Sequence, residues 1–198
     1  MPHVQRKRVT TNDCCFKGKF KVTSPRGYRT LGGKKEFHGG MDIVALGPDK
    51  SVYAMADGVI DATPYEANGF GFYVRMLLAD ERRLYYGHMA KGSICVKPGQ
   101  KVCKGDKLGV MGSTGNSTGA HCHIELRPKG TSKESLDIAE FTGIPNKVGV
   151  YEYIPETSVA GYAEKIQKKC GLEKQTMDYL AKYKYAEDLF RKLWLAME

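Results

Sequence analysis

No stretch of the 198-residue chain approaches the roughly 18 consecutive apolar residues that a membrane-spanning helix needs, so no transmembrane segment is expected. The N-terminal MPHVQRKRVTTND is basic but has no apolar core behind it, so it does not read as a secretory signal. On that reading the chain is made in a cytoplasm. There is no Cys-x-x-Cys pair: Cys14, Cys15, Cys95, Cys103, Cys122 and Cys170 fall at irregular spacings, which excludes a regular disulfide framework. They read as reduced thiols, mostly small buried apolar groups. Acidic residues are also scarce, 22 against 31 Lys and Arg, and the shortage is concentrated at the front. Residues 1–36 carry ten Lys and Arg against Asp13 and Glu36, a local balance of +8 that would attract a polyanion. That end lacks a recognisable reading module and has few aromatics between its cations, so no specific nucleic-acid partner is expected.

What is present suits a packed domain. Hydrophobic residues make up 41% of the chain, enough for a core. From residue 16 to about 125 the sequence consists of short runs such as SVYAMADGVIDA, GFGFYVRMLL and RRLYYGHM, separated by Gly, Pro and Asn. Loose alternation of Val, Tyr, Phe and Ile in these runs predicts half-buried strands. Residues 128–160 are broken by Pro and Gly and read as a connecting segment, able to lie over the core through Ile138, Phe141, Val148, Val150 and Tyr151. Beyond residue 161 the pattern turns helical: Leu180, Tyr183, Phe190, Leu193, Trp194 and Met197 gather on one face of a 3.6-residue period. That face must be buried on the core, on a second copy or on a partner. The expected fold class is mainly β, an antiparallel β-sheet core with a C-terminal α-helical appendage.

Histidine is rare, which makes its placement informative. Four of the five histidines occur in three contexts, FHGGMD at 37–42, YYGH at 85–88 and HCH at 121–123, while His3 stands apart in the lead. On a strand, His121 and His123 point to the same face and Cys122 to the other. Paired imidazoles of this kind suit zinc. His38 and Asp42, separated by a Gly-Gly bend, can turn towards the same cation. Two nitrogens and one oxygen leave a fourth tetrahedral position open, as in a catalytic rather than a structural site.

These residues stand in the order of a known family. The chain resembles the lysostaphin-type, or LytM-type, zinc endopeptidases of peptidoglycan, the M23 peptidases, from about residue 22 to 125. VTSPRGYR at 22–29 looks like the entry segment, and FHGGMDI at 37–43 matches the H-x-G-x-D motif. SVYAMADGVI at 51–60, GFGFYV at 69–74 and YYGHM at 85–89 match the strands that follow. The Gly-rich run at 96–126 ends in H-x-H. The resemblance implies a zinc ion held by His38, Asp42 and His123, with His88 and His121 beside it as non-ligand catalytic residues. It also implies an antiparallel sheet with a groove across it. The domains expected are a basic lead at 1–21, a zinc peptidase domain at 22–127, a connecting segment at 128–160 and a helical region at 161–198.

The implied chemistry is hydrolysis of a peptide bond in bacterial peptidoglycan by metal-activated water. His121 is the expected general base and His88 the expected donor to the oxyanion, although the two can exchange roles. Glu125 reads as a residue that supports His123 rather than as the base. Two alternatives are a non-catalytic wall-binding module of the same fold and a tail-associated phage lysin. A phage or prophage endolysin fits a cytoplasmic chain with an appendage that acts at the wall after release. The basic lead would then hold anionic wall polymers, and the last helix could mediate self-association.

Overall fold

The turn at Gly32 and Gly33 sets the first structural feature beside the histidines. Both glycines have positive φ, 57° and 78°, the pairing a tight two-residue hairpin demands. They join β2 (Gly27–Leu31) to β3 (Lys34–His38) as an antiparallel ribbon with Tyr28 opposite Phe37 and Arg29 opposite Glu36. The computed structural model describes residues 14–130, 134–153 and 159–182, together with Ala186, Leu189, Phe190 and Leu193.

Around this ribbon lies a large antiparallel sheet. Its strands are β1 (Gly18–Ser24), β4 (Met41–Ala45), β6 (Gly58–Ala62), β7 (Tyr65–Glu66), β8 (Gly71–Leu77), β9 (Arg83–Met89), β10 (Lys101–Val102), β12 (Cys122–Arg127) and β13 (Gly149–Tyr153). The order is β10-β6-β8-β9-β12-β4-β1-β13, with β7 added to β8. A separate pair joins β5 (Ser51–Tyr53) to β11 (Lys107–Val110). Alternation in the sequence decides orientation: β1 buries Phe20 and Val22 and exposes Lys19, Lys21 and Thr23. The core gathers Phe16, Phe20, Ile43, Met76, Leu84, Tyr86, Ile124 and Leu126 among others. The fold is mainly antiparallel β with C-terminal helices, as expected.

β12 lies in the middle of the sheet, between β9 and β4, and all of it except Arg127 is buried. Its register places His123 opposite Asp42 on β4 and opposite Gly87 on β9. A direct cross-strand pair shares one face, so the pairing itself brings two distant site residues together.

The segment expected to be a connector is more regular than its Pro and Gly content suggested. α1 (Ile138–Thr142) is capped by the Asp137 carboxylate, which accepts from the amides of Ala139 and Glu140, and it ends on Gly143 at φ 66°. β13 then adds to the edge of the sheet beside β1, and Tyr151 packs on Phe20 with ring centroids 5.9 Å apart. Residues up to Tyr153 therefore belong to the same compact unit as the sheet. Ile138 and Tyr151 are buried, as the reading of that segment allowed, whereas Val148 and Val150 are exposed.

The second unit, residues 154–198, contains α2 (Val159–Cys170) and α3 (Lys174–Ala181), parted at Gly171 with φ 66°. Ala163, Ile166, Met177, Ala186 and Phe190 form its small core, with Leu180 against it. Of the apolar face read from sequence, Phe190 is buried and Leu193 exposed; Tyr183, Trp194 and Met197 lie outside the described residues. So does most of the basic lead. No helix among the described residues is long and apolar enough to cross a membrane.

Candidate metal centre

Three side chains converge at the end of the ribbon. His38 closes β3, the Gly39–Gly40 bend turns the chain, and Asp42 follows on β4 opposite His123 of β12. Gly40 has no substitute at this bend. A Cβ there would lie 2.3 Å from the carbonyl oxygen of Ile124 and 2.6 Å from His123 Nε2. The missing side chain lets the two segments that carry the converging side chains touch.

The converging atoms are His38 Nε2, Asp42 Oδ1 and His123 Nδ1. Their separations are 3.1 Å (His38–Asp42), 3.0 Å (His38–His123) and 2.8 Å (His123–Asp42). Donors on a tetrahedral ion with ~2.0–2.1 Å bonds stand roughly 3.3 Å apart, so this triangle needs to open only slightly to become one face of such a site. Among the described residues this is the group of His, Cys, Asp and Glu side chains that can hold a metal ion.

Each donor is aimed by a partner behind it. Nδ1–H of His38 donates to the Pro25 carbonyl at 2.9 Å, which leaves Nε2 with a lone pair for the cluster. Nε2–H of His123 donates to Glu125 Oε2 at 3.0 Å and leaves Nδ1 free. Glu125 is held in turn by Arg127 Nε at 2.5 Å. Arg29 Nη1 occupies Asp42 Oδ2 at 3.2 Å, so Oδ1 faces the cluster, and Arg29 Nε is anchored on Glu36 at 2.7 Å. A carboxylate behind a ligating imidazole fixes its tautomer and raises its basicity.

The electrostatics fit a cation. Burial alone would raise the Asp42 carboxyl, but hydrogen bonds from His123 and His38 outweigh it and hold the group well below the usual carboxylate range. Burial opposes protonation of His123, yet Asp42 and Glu125 overcome it and lift the imidazole to about 9. Without a metal, a second proton on His123 Nδ1 lies where the donors meet. A cation with the same preference for these atoms must displace it.

His88 and His121 stand next to the triangle rather than in it. Their ring centroids are 4.5 Å apart, and His121 Nε2 is 3.5 Å from Asp42 Oδ1. Nδ1 of His88 donates to the Thr114 carbonyl at 2.8 Å and Nδ1 of His121 to the Gly119 carbonyl at 2.7 Å. A carbonyl can only accept, so the neutral rings both keep an Nε2 lone pair. Burial pushes His88 down to about 4, which keeps it neutral near pH 7. Its backbone is left-handed, φ 59°, a costly conformation for a residue other than glycine. The loop that supplies Thr114 is packed so tightly that a Cβ on Gly71 would lie 2.3 Å from the Thr114 oxygen.

All five expected residues thus line one cleft of about 290 Å³, together with Arg29, Glu66 and Phe70. Cys122 is fully buried on the opposite face of β12, beside Cys15 in the core. Sequence reading missed Arg29 and the three carbonyl acceptors. Arg29 had one visible signal: it shares a ribbon face with Glu36 and His38 if the hairpin turns at Gly32–Gly33.

Peptidase family M23 matches residues 36–135, half of the chain and every residue lining this cleft except Arg29. The chain belongs to peptidase family M23. The chain is 36% identical over 117 residues to the peptidoglycan DD-endopeptidase ShyA of Vibrio cholerae, covering 56% of this chain and 25% of ShyA. The chain spans about a quarter of the length of such curated relatives. Among solved structures it is similar to the catalytic domain of the prophage-encoded M23 protein EnpA of Enterococcus faecalis. That match has 35% identity and a TM-score of 0.52, over 60% of this chain and 88% of EnpA's domain. The catalytic domain of lysostaphin, the antimicrobial peptidase of Staphylococcus simulans, gives 28% identity and a TM-score of 0.56, over 62% and 91%. M23 proteins are metallopeptidases, which agrees with a donor triangle suited to a metal ion.

Proposed function

We propose that the chain is a zinc endopeptidase that hydrolyses peptide bonds of bacterial peptidoglycan, with His38, Asp42 and His123 holding the ion. The observation that carries this is the donor triangle, two imidazole nitrogens and one carboxylate oxygen, each oriented by its own second partner. Two nitrogens and one oxygen are a donor set zinc favours, and the cleft leaves a side open to substrate. When bound, the ion would polarise the scissile carbonyl and acidify water at the cleft.

The chain's own residues supply the proton chemistry. Nε2 of His121 and of His88 both begin as proton acceptors, because their Nδ1–H groups are committed to backbone carbonyls. One of them takes the proton of the attacking water. The imidazolium formed then carries an Nε2–H that can donate to the oxyanion or pass the proton to the leaving amine. His88 therefore acts as an oxyanion donor only after it has been protonated, and its low affinity for a proton makes it a ready source for the leaving group. Arg29 keeps Asp42 from rotating, and Phe70, whose ring is 5.4 Å from that of His123, walls the cleft.

Mass spectrometry of fragments released from purified peptidoglycans, with and without a chelator, tests the proposal and identifies the bond. Expected are chelator-sensitive peptide fragments and about one zinc per chain by elemental analysis. His121→Ala should keep its zinc and lose at least ~100-fold in turnover; loss of zinc from this variant would overturn the ligand assignment.

The biological setting we propose is a phage or prophage lysin, supported by the likeness to a prophage-encoded M23 protein. The basic lead would hold it to anionic wall polymers. Expression inside an intact bacterium should leave cultures turbid until the membrane is permeabilised. Clearing without permeabilisation would count against this setting.

A further inference from the structure

The β2–β3 ribbon has two faces, and the metal centre uses only one. Strand alternation and the register place Gly27 with His38 and Arg29 with Glu36 on the cleft side. The other side carries the pairs Tyr28–Phe37 and Thr30–Lys35. Tyr28 is 76% exposed and Phe37 47%, and their rings meet edge to face with centroids 5.2 Å apart. Lys35 Nζ lies 5.2 Å from the Tyr28 ring centre and the Arg26 guanidinium 4.9 Å from that of Phe37. The result is a row of cation, ring, ring and cation open to solvent. Among the described residues the Tyr28 hydroxyl has no hydrogen-bond partner.

Beyond Phe37 the row opens into a depression of about 520 Å³ lined by Arg26, Arg127, Glu134 and Ser135, with Gly39 and Glu125 beneath. Arg26 is fixed there by Nε and Nη2, which donate to the hydroxyl and carbonyl of Ser135 at 3.2 and 2.7 Å. A cross-strand aromatic pair can stabilise a hairpin without being this exposed, and adjacent exposed rings flanked by positioned cations mark contact surfaces. Flat apolar ring faces match the C–H faces of pyranose rings. The flanking ammonium and guanidinium groups match hydroxyl, acyl and carboxylate oxygens.

We propose that this outer face binds the sugar strand of the wall polymer, a chain of N-acylated pyranoses bearing acyl or carboxylate groups, while the cleft on the other face takes the peptide that hangs from it. This rests on the peptidoglycan reading. The two faces belong to one ribbon a single layer thick, so a strand held on Tyr28 and Phe37 keeps its attached peptides within reach of the metal centre. The cations along the row, Arg26 and Lys35, complement a strand whose substituents carry oxygen and negative charge.

The test uses the full chain and two substrates. Binding to peptide-free glycan strands is measured by sedimentation or calorimetry at low and high salt, with inorganic polyphosphate as a control for charge alone. Hydrolysis is measured on a short soluble wall peptide lacking sugar. Tyr28→Ala and Tyr28→Ser should each bind glycan strands roughly ten-fold more weakly while hydrolysing the soluble peptide as the parent does. Lys35→Ala should weaken binding at low salt only. Unchanged glycan binding in both Tyr28 variants overturns the proposal, as does parental binding that is lost entirely in high salt and matched by polyphosphate. If the parent binds glycan through Tyr28 but cleaves no peptide, the peptidase reading fails and the sugar site stands.

Discussion

At the scale of single residues, the site depends on side chains that brace the donor triangle from behind. Glu125 is 5% exposed and does two things, accepting from His123 and holding Arg127. Glu125→Gln presents an amide to two donors and satisfies only one of them. If zinc is the ion, as proposed, it should still bind, with affinity lowered by about 10–100-fold in competition with a chromophoric chelator. His88 makes a different prediction. Its folded value, about 4, lies below the ordinary 6.5, so the unfolded chain takes up more protons between those limits. Its contribution to stability is complete above pH 6.5 and is lost as pH falls towards 4, by up to about 3 kcal/mol. His88→Asn tolerates the left-handed backbone and can still donate to Thr114. Urea unfolding of this variant should lose less stability between pH 7 and 4.5 than the parent, while peptide hydrolysis collapses. The H-x-G-x-D and H-x-H spacings made His38, Asp42, His121 and His123 legible in the sequence as cleft residues, and the YYGH context did so for His88. The acceptors at Pro25, Thr114 and Gly119 were not, because a backbone carbonyl carries no residue identity.

Elements decide whether those residues meet. β4 and β12 pair directly, and the register His123 to Asp42 does the work a loop would do less accurately. Gly40 sets their approach, so Gly40→Ala should force the carbonyl of Ile124 away and cost about 1–3 kcal/mol. The melting temperature should fall by several degrees and bound zinc should drop well below one per chain, both measurable on one preparation. The central strands were readable because Val, Tyr and Ile alternate over five to seven residues. β13 was not, because GVYEY is short, preceded by Gly143 and Pro145, and reveals its partner only when β1 is in place. The tail was read as one helical element. The chain instead breaks at Gly171, whose positive φ suits a helix end better than a helix interior.

On the scale of the whole molecule, the described chain divides at Tyr153 rather than after Arg127. Tyr151 and Tyr153 are buried against the sheet, as is Ile138 of α1. A chain ending at Tyr153 should therefore fold cooperatively and cleave soluble wall peptide at close to the parental rate. One ending at Arg127 exposes Phe20 and the β1 edge and should aggregate or melt far lower, as circular dichroism would show. Comparable instability of both truncations would mean that the helices support the sheet.

The triangle of His38, Asp42 and His123 is braced from behind at every corner, and this has a bearing on which ions it admits. Calcium seeks six to eight oxygens at about 2.3–2.6 Å, and magnesium keeps its water octahedron. A nitrogen-rich bite of three donors, held from behind by Pro25, Glu125 and Arg29, offers neither. Such a donor set would disfavour abundant hard cations, so a scarcer, softer ion would win the position in their presence.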